Sequence, residues 1–363
     1  MGRSHRTSHH EPDTAVELNP RFSRPGESTI FPRFTIPDGE SLPSTAYQVV
    51  HDEAMLTQPC PQLSSAVQVC WEKFCNYWEV EARFVPVSVE HPMLDGHDLD
   101  RYVDENTIGI VAYTGIYEPV ELISAALDEI QVRRGLDVPI HVDGASGAMI
   151  APFLQPEVEW DFRLPRVASI NTSGHKYGLV YPGLGWVVWR DEEALPDDLI
   201  FHVSYLGGDM PTFALNFSRP GAQVLLQYYL FLRLGFAGYK SVQAMSRDVA
   251  LYLSGEIGAM EPFTLWSDGS DIPVFAWQLT DGHTGNWNLH HLSERLRMNG
   301  WFVPAYPMPA GLSEVTVQRI VVRNGFTRDL ASSFLTDLKK EVAYLDGLTA
   351  PMPPRGQTQA FHH

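Results

Sequence analysis

Two short stretches of the 363-residue chain combine side chains that can do chemistry: Ser173-Gly174-His175-Lys176-Tyr177-Gly178 and His141-Val142-Asp143-Gly144-Ala145-Ser146-Gly147. The first follows the β-rich run Val167-Ala168-Ser169-Ile170, and the second ends the apolar run Val138-Pro139-Ile140. A lysine between a histidine and an aromatic, flanked by glycines that let the backbone bend, is placed as a reactive group rather than a solubility charge. A buried ammonium is costly or gives up its proton, and an amine that deprotonates readily is what a Schiff base with an aldehyde requires. An aspartate at the end of a neighbouring strand can keep a pyridinium nitrogen protonated. Lysine plus aspartate is the protein's half of pyridoxal phosphate (PLP) chemistry. Taken singly, Lys176 reads as a surface residue after a strand and Asp143 as a loop carboxylate. Their pairing at two strand ends, each beside small residues, reverses that balance.

The elements that must position the two stretches alternate. Val67–Trp78 carries Val67, Cys70, Trp71, Phe74, Cys75 and Trp78 on one helical stripe. Phe84–Val87 reads as a short strand, Leu99–Val103 as a short helix, Ile108–Val111 as a buried strand and Pro119–Val132 as a helix opened by proline. The strands ending at Asp143 and before Lys176 follow, then Gly185–Trp189. Alternating β and α segments predict an α/β fold: a mostly parallel sheet with helices on both faces. Such sheets bind ligands at the carboxyl ends of their strands, where Asp143 and Lys176 both fall. Two apolar helices, Arg219–Leu234 and Tyr239–Ile257, lead to a smaller C-terminal α+β unit. That unit reads as strand Val274–Leu279, helix Leu289–Met298, strands Trp301–Tyr306 and Thr316–Val322, and helix Asp329–Leu345. The expected division is an arm over 1–63, partly disordered, a large domain over 64–256 and a small domain with its tail over 257–363.

Composition narrows the function classes. A net charge of −18 argues against nucleic acid and against an anionic membrane surface. The three cysteines, Cys60, Cys70 and Cys75, form no CxxC pair, so neither a disulfide framework nor a metal site is expected. No apolar run is long enough to span a membrane: Gln227 and Arg233 interrupt the richest stretch, Leu225–Ala237. The opening MGRSHRTSHH has no signal-peptide core. These features suit a cytoplasmic protein.

The wording of several segments resembles the PLP-dependent glutamate decarboxylases, group II of the amino-acid decarboxylases. The segments are 141–147, 161–178, 185–199, 204–229 and 292–306. The resemblance runs from about Ser64 to the C-terminus, with a patch near Tyr47–Leu56. It implies the PLP-transferase type I fold, with Lys176 condensing with the cofactor aldehyde and Asp143 pairing with its ring nitrogen. By the same resemblance His175 is a catalytic residue that holds the cofactor phosphate or the surroundings of Lys176, Ser173 binds the cofactor, and Ala145 and Gln68 sandwich its ring. Ser218 would reach the phosphate in a neighbouring subunit, and Arg319 would bind the substrate carboxylate. On the residues alone, Gln68 is equally a helix-surface amide, and Ser218 equally a plain N-cap serine. The implied reaction converts L-glutamate to 4-aminobutyrate and carbon dioxide, in a homo-oligomer whose sites lie at subunit interfaces.

Two departures from the family wording set further expectations. After His51–Leu56 the family continues into a substrate-contacting segment and a Gly/Ser-rich phosphate-binding loop, whereas this chain passes directly to Ser64-Ser65. Within Ile110–Gly115 the family inserts more residues and has a threonine where Ala112 stands. Poor decarboxylation by this chain is therefore expected. A non-catalytic isoform or paralogue that associates with full-length subunits, or a PLP lyase for another amino acid, remain open.

Overall fold

The structure, a computed structural model, describes residues 71–113, 117–204, 207–212, 221–309 and 311–353. Four short strands, β1 (Ile110–Tyr113), β2 (Ile140–Asp143), β3 (Val167–Ser173) and β4 (Gly185–Trp189), form one sheet in the order β1-β2-β3-β4. The first three run parallel and β4 is antiparallel to β3. The crossover between β1 and β2 is helix α1 (Val120–Arg134). It buries Val120, Ile123, Leu127 and Ile130, one helical stripe, against Ala112, Ile140 and Val142 of the sheet. Gly135, at φ 71°, supplies the left-handed residue that ends α1. The buried Arg166, just before β3, pairs with Asp128 of α1 at 2.7 Å and with Asp137 at 3.0 Å. That bond pair ties the crossover helix to the sheet it covers.

A second sheet has the order β7 (Phe263–Leu265), β8 (Val274–Leu279), β10 (Thr316–Val321), β9 (Ala305–Pro307), with every pairing antiparallel. Phe275 and Trp277, two apart on β8, share one face and enter a core with Leu253, Leu292, Phe334 and Leu338. Those partners come from the three long helices α3 (Ala222–Gly258), α4 (Leu289–Met298) and α5 (Arg328–Asp346). Asn288 and His291 close a reciprocal capping box on α4. A third cluster of Met149, Ile150, Tyr177 and Ile272 lies between the two cores, with Val274 and Val321 of the second sheet packed against it. Between the sheets in sequence lie a single helical turn, α2 (Ala151–Leu154), and a small hairpin of β5 (Phe201–Val203) and β6 (Met210–Thr212).

Most expected elements are present, and the differences have local causes. Phe84–Val87 forms no strand; Pro86 has no N–H to give a ladder, and Phe84 is half exposed. Residues 71–77 are helical, yet Phe74 and Trp78 of the expected apolar stripe are exposed. The strand expected at Trp301–Tyr306 is Ala305–Pro307, where it meets β10. The two expected apolar helices form one run, α3, broken at Gly235 by φ 57° and ψ −169°. That backbone region is open essentially only to glycine. The break has a structural purpose. Gln227 and Tyr239 would stand about 18 Å apart along a straight helix, yet their side chains are hydrogen-bonded at 2.8 Å.

Gly235→Ala is therefore expected to destabilise the chain by about 1–3 kcal/mol. Urea denaturation measures this, and an unchanged midpoint would mean that the break is not strained for a side chain.

Candidate active site

The parallel ladders bring three strand ends together. Asp143 is the register partner of Tyr113 on β1 and of Asn171 on β3. Its side chain is buried, 5% exposed. Oδ1 accepts the Ala145 N–H at 3.0 Å and Asn171 Nδ2 at 3.3 Å, while Oδ2 accepts Trp71 Nε1 at 3.1 Å. All three neighbours donate, which suits a carboxylate, an acceptor only. Gly144 is required here: a Cβ would come within 2.6 Å of the Asn171 carbonyl oxygen and 2.7 Å of Ala148 Cβ. The buried Ala145 follows, and its carbonyl accepts the N–H of Ser173, the last residue of β3, at 3.3 Å. The loop after β2 is thus stitched to the end of β3.

Lys176 lies in the turn that leaves β3, half-buried, with its N–H bonded to the Ser173 carbonyl at 3.3 Å. Three buried side chains of α3 hold this turn from behind. Gln227 Nε2 and the Tyr239 hydroxyl donate to the Gly178 carbonyl at 2.8 and 3.0 Å, and Gln243 Nε2 donates to the Tyr177 carbonyl at 2.8 Å. The turn also leaves no room for larger residues, since a Cβ on Gly178 would meet the Gly174 carbonyl oxygen at 2.6 Å.

The second sheet closes on the same turn. Arg323 donates to the His175 carbonyl at 3.1 Å, and the buried Tyr177 hydroxyl lies 3.5 Å from the Val322 carbonyl. Arg319 of β10 sits opposite Ala276, on the face away from the second core, with its guanidinium 5.6 Å from the centre of the Tyr306 ring. Burial lowers its pKa, while the Tyr306 and Tyr177 phenols act in the opposite sense. Arg319 is thereby brought beside the residue that follows Lys176.

Lys176, His175, Ser173, Asp143, Ala145 and Arg319 all lie on these converging segments. Gln68 and Ser218 lie outside the described residues. Ala112 is fully buried in the core under the sheet. Several residues escaped sequence reasoning: Trp71, His141, Asn171, Glu118, Arg323 and the α3 trio. Gln227 could have been noticed, because an amide that interrupts an apolar helix needs a partner. Glu118 has no such signal, lying in a loop between Tyr117 and Pro119. Its carboxylate accepts the Tyr113 N–H at 2.6 Å and the Leu94 N–H at 3.3 Å, capping the end of β1. Burial nonetheless pushes its pKa up to about 7, outweighing the two N–H donors, with the Asp143 charge adding to the rise.

Residues 45–279 match the pyridoxal-dependent decarboxylase conserved domain. The chain is 45% identical over 308 residues to the glutamate decarboxylase of Lactococcus lactis subsp. cremoris, covering 83% of this chain and 66% of that protein. It is 49% identical over 284 residues to the glutamate decarboxylase of Aliivibrio fischeri, covering 77% and 61%. Among solved structures, a Lactobacillus brevis glutamate decarboxylase matches with a TM-score of 0.74 at 45% identity, over 77% of this chain and 65% of that one. A Burkholderia pseudomallei sphingosine-1-phosphate lyase, at 24% identity and a TM-score of 0.58 over 72% and 57%, shares the fold. The architecture is the type I fold of PLP-dependent decarboxylases. The chain spans less than two thirds of the length of the curated relatives it matches.

A carboxylate whose folded pKa is raised binds protons on folding. The Glu118 site should therefore lower stability as pH rises from about 4.5 to about 7, and add no further slope above that. Glu118→Gln is expected to remove this component from the pH dependence of urea stability. An identical slope in the variant would show that Glu118 ionises normally.

Proposed function

The chain belongs to the pyridoxal-dependent decarboxylase family, and from that premise we propose that it is a glutamate-decarboxylase-like protein with a PLP site at Lys176 and Asp143. The observation that carries this reading is the β2–β3 register, which sets the buried Asp143 carboxylate beside the strand whose following turn bears the lysine. The residues present fit the cofactor. Asp143 is an acceptor for a ring N–H, Ala145 offers a small buried flank, and Lys176 offers an amine for the aldehyde. Bound there, PLP supplies an electron sink for the pair left behind when the substrate carboxylate departs as carbon dioxide.

The chain's own groups have separate roles in this proposal. Asp143 holds a proton at the ring nitrogen. Ala145 leaves space on one face of the ring and Gln68 covers the other. Ser173 and His175 line the lysine turn, with Arg323 steadying His175 through its carbonyl. Arg319 takes the substrate carboxylate, a role its planar fork suits, and the substrate is L-glutamate, yielding 4-aminobutyrate. We place the protein in the cytoplasm. Among the described residues no helix is long and apolar enough to cross a membrane.

The phosphate-binding loop belongs to the segment that this chain is proposed to lack between Leu56 and Ser64. Catalysis should suffer, because hydrogen bonds to a charged phosphate contribute about 1.5–3 kcal/mol each. A second reading, association with other subunits, draws on α3. Leu225, Tyr229, Leu232 and Phe236 are all at least half exposed along its first half and beside the break, a patch that asks for cover. Ser218, just before this helix in sequence, would serve a neighbour's phosphate. The division into 64–256 and 257–363 is part of this proposal, although Val249, Ala250 and Leu253, before the boundary, enter the core of the second sheet.

Glutamate-dependent carbon dioxide release at saturating PLP tests the function. Turnover below that of an intact relative is expected, with half-saturation by PLP at a concentration at least about tenfold higher from one lost charged bond alone; equal turnover at equal half-saturation would contradict the missing anchor. A concentration-independent monomer in sedimentation would remove the associating reading.

A further inference from the structure

We propose that Ser169, His141 and Asn171 form a directed hydrogen-bond chain that positions the Asp143 carboxylate; the inference rests on the reading of Asp143 as the ring-nitrogen partner. The β2–β3 register pairs His141 with Ser169 and Asp143 with Asn171. Residues two apart on a strand share a face, so the four side chains form a ladder across the strand pair. His141 Nδ1 lies 2.7 Å from Ser169 Oγ, His141 Nε2 lies 2.9 Å from Asn171 Oδ1, and Asn171 Nδ2 lies 3.3 Å from Asp143 Oδ1.

The carboxylate dictates the direction of every bond in this ladder. Because it only accepts, the Asn171 amide must turn its nitrogen toward Asp143. Its oxygen then faces His141, so Nε2 must carry a proton. In a neutral imidazole the other nitrogen is an acceptor, and the Ser169 hydroxyl donates to it. Burial favours the neutral ring, opposed by the Asn171 bond and the Asp143 charge. The Trp71 ring lies over His141 at 5.1 Å between centroids and reaches Asp143 Oδ2 with its own N–H. One carboxylate oxygen is thus fastened to the sheet through the ladder and the Ala145 N–H, and the other faces the helix that covers it. Asn171 and His141 are positioning residues: they act on the cofactor site through Asp143.

Nuclear magnetic resonance of the full chain with isotope-labelled histidine tests this, with the His141 signal assigned by its loss in His141→Gln. A neutral ring protonated at Nε2 is expected at neutral pH. In Asn171→Leu that tautomer should lose its preference and the Kd for PLP should rise about tenfold. An imidazolium, or a proton on Nδ1, in the wild-type chain would overturn the ladder, whether or not the variants fold. An unchanged tautomer together with an unchanged Kd in a folded Asn171→Leu would overturn the positioning role. Failure of the wild-type chain to bind PLP would count against the cofactor reading of Asp143 instead, while the histidine spectrum still decides the ladder.

Discussion

The parallel register of β2 on β3 is the constraint on which the site depends. It sets Asp143 against Asn171, and the loop that follows β2 is bonded through Ala145 to Ser173, from which the lysine turn departs. A slip of one residue would turn every side chain to the opposite face and would carry Asp143 away from Asn171. Gly144 holds the register to close tolerance, since any side chain there would strike the β3 backbone. The short strands lie over a core built by α1, whose stripe, together with the buried Arg166 before β3 that pairs with Asp128 of the helix, leaves little freedom to slide.

The lysine turn needs a second restraint, because nothing within the strand fixes a loop beyond its end. That restraint comes from far along the chain. The break at Gly235 folds α3 so that Gln227, Tyr239 and Gln243 converge on two adjacent carbonyls, those of Tyr177 and Gly178. These amides and the phenol are buried, and a buried polar group without a partner would cost about 1–3 kcal/mol. The clamp is therefore held from both sides: the helix needs the carbonyls as much as the turn needs the donors. Arg323 and the Tyr177 hydroxyl then link the turn to the second sheet, which brings Arg319 to the same neighbourhood.

The sheet and the strand ends that carry the proposed pair, Asp143 and Lys176, were readable from local pattern. Strand ends at Asp143 and before Lys176, the stripe of α1 and the helix Leu289–Met298 all follow from periodicity and turn residues. What could not be read depends on contacts distant in sequence. Gln227 looked like an interruption of an apolar helix until Gly178, 49 residues earlier, was placed against it. Phe84–Val87 has strand composition but no partner strand among the described residues. His141 opens one of the two stretches proposed to carry the chemistry and Asn171 lies two residues before the other, yet their pairing needs the register, which neither segment specifies alone.

The central claim is that Lys176 and Asp143 make one PLP site. Borohydride reduction of the chain in the presence of PLP, followed by peptide mapping, tests it most directly. The account predicts a stable label on Lys176, strongly reduced in Asp143→Asn. Label on other lysines with none on Lys176 would contradict it.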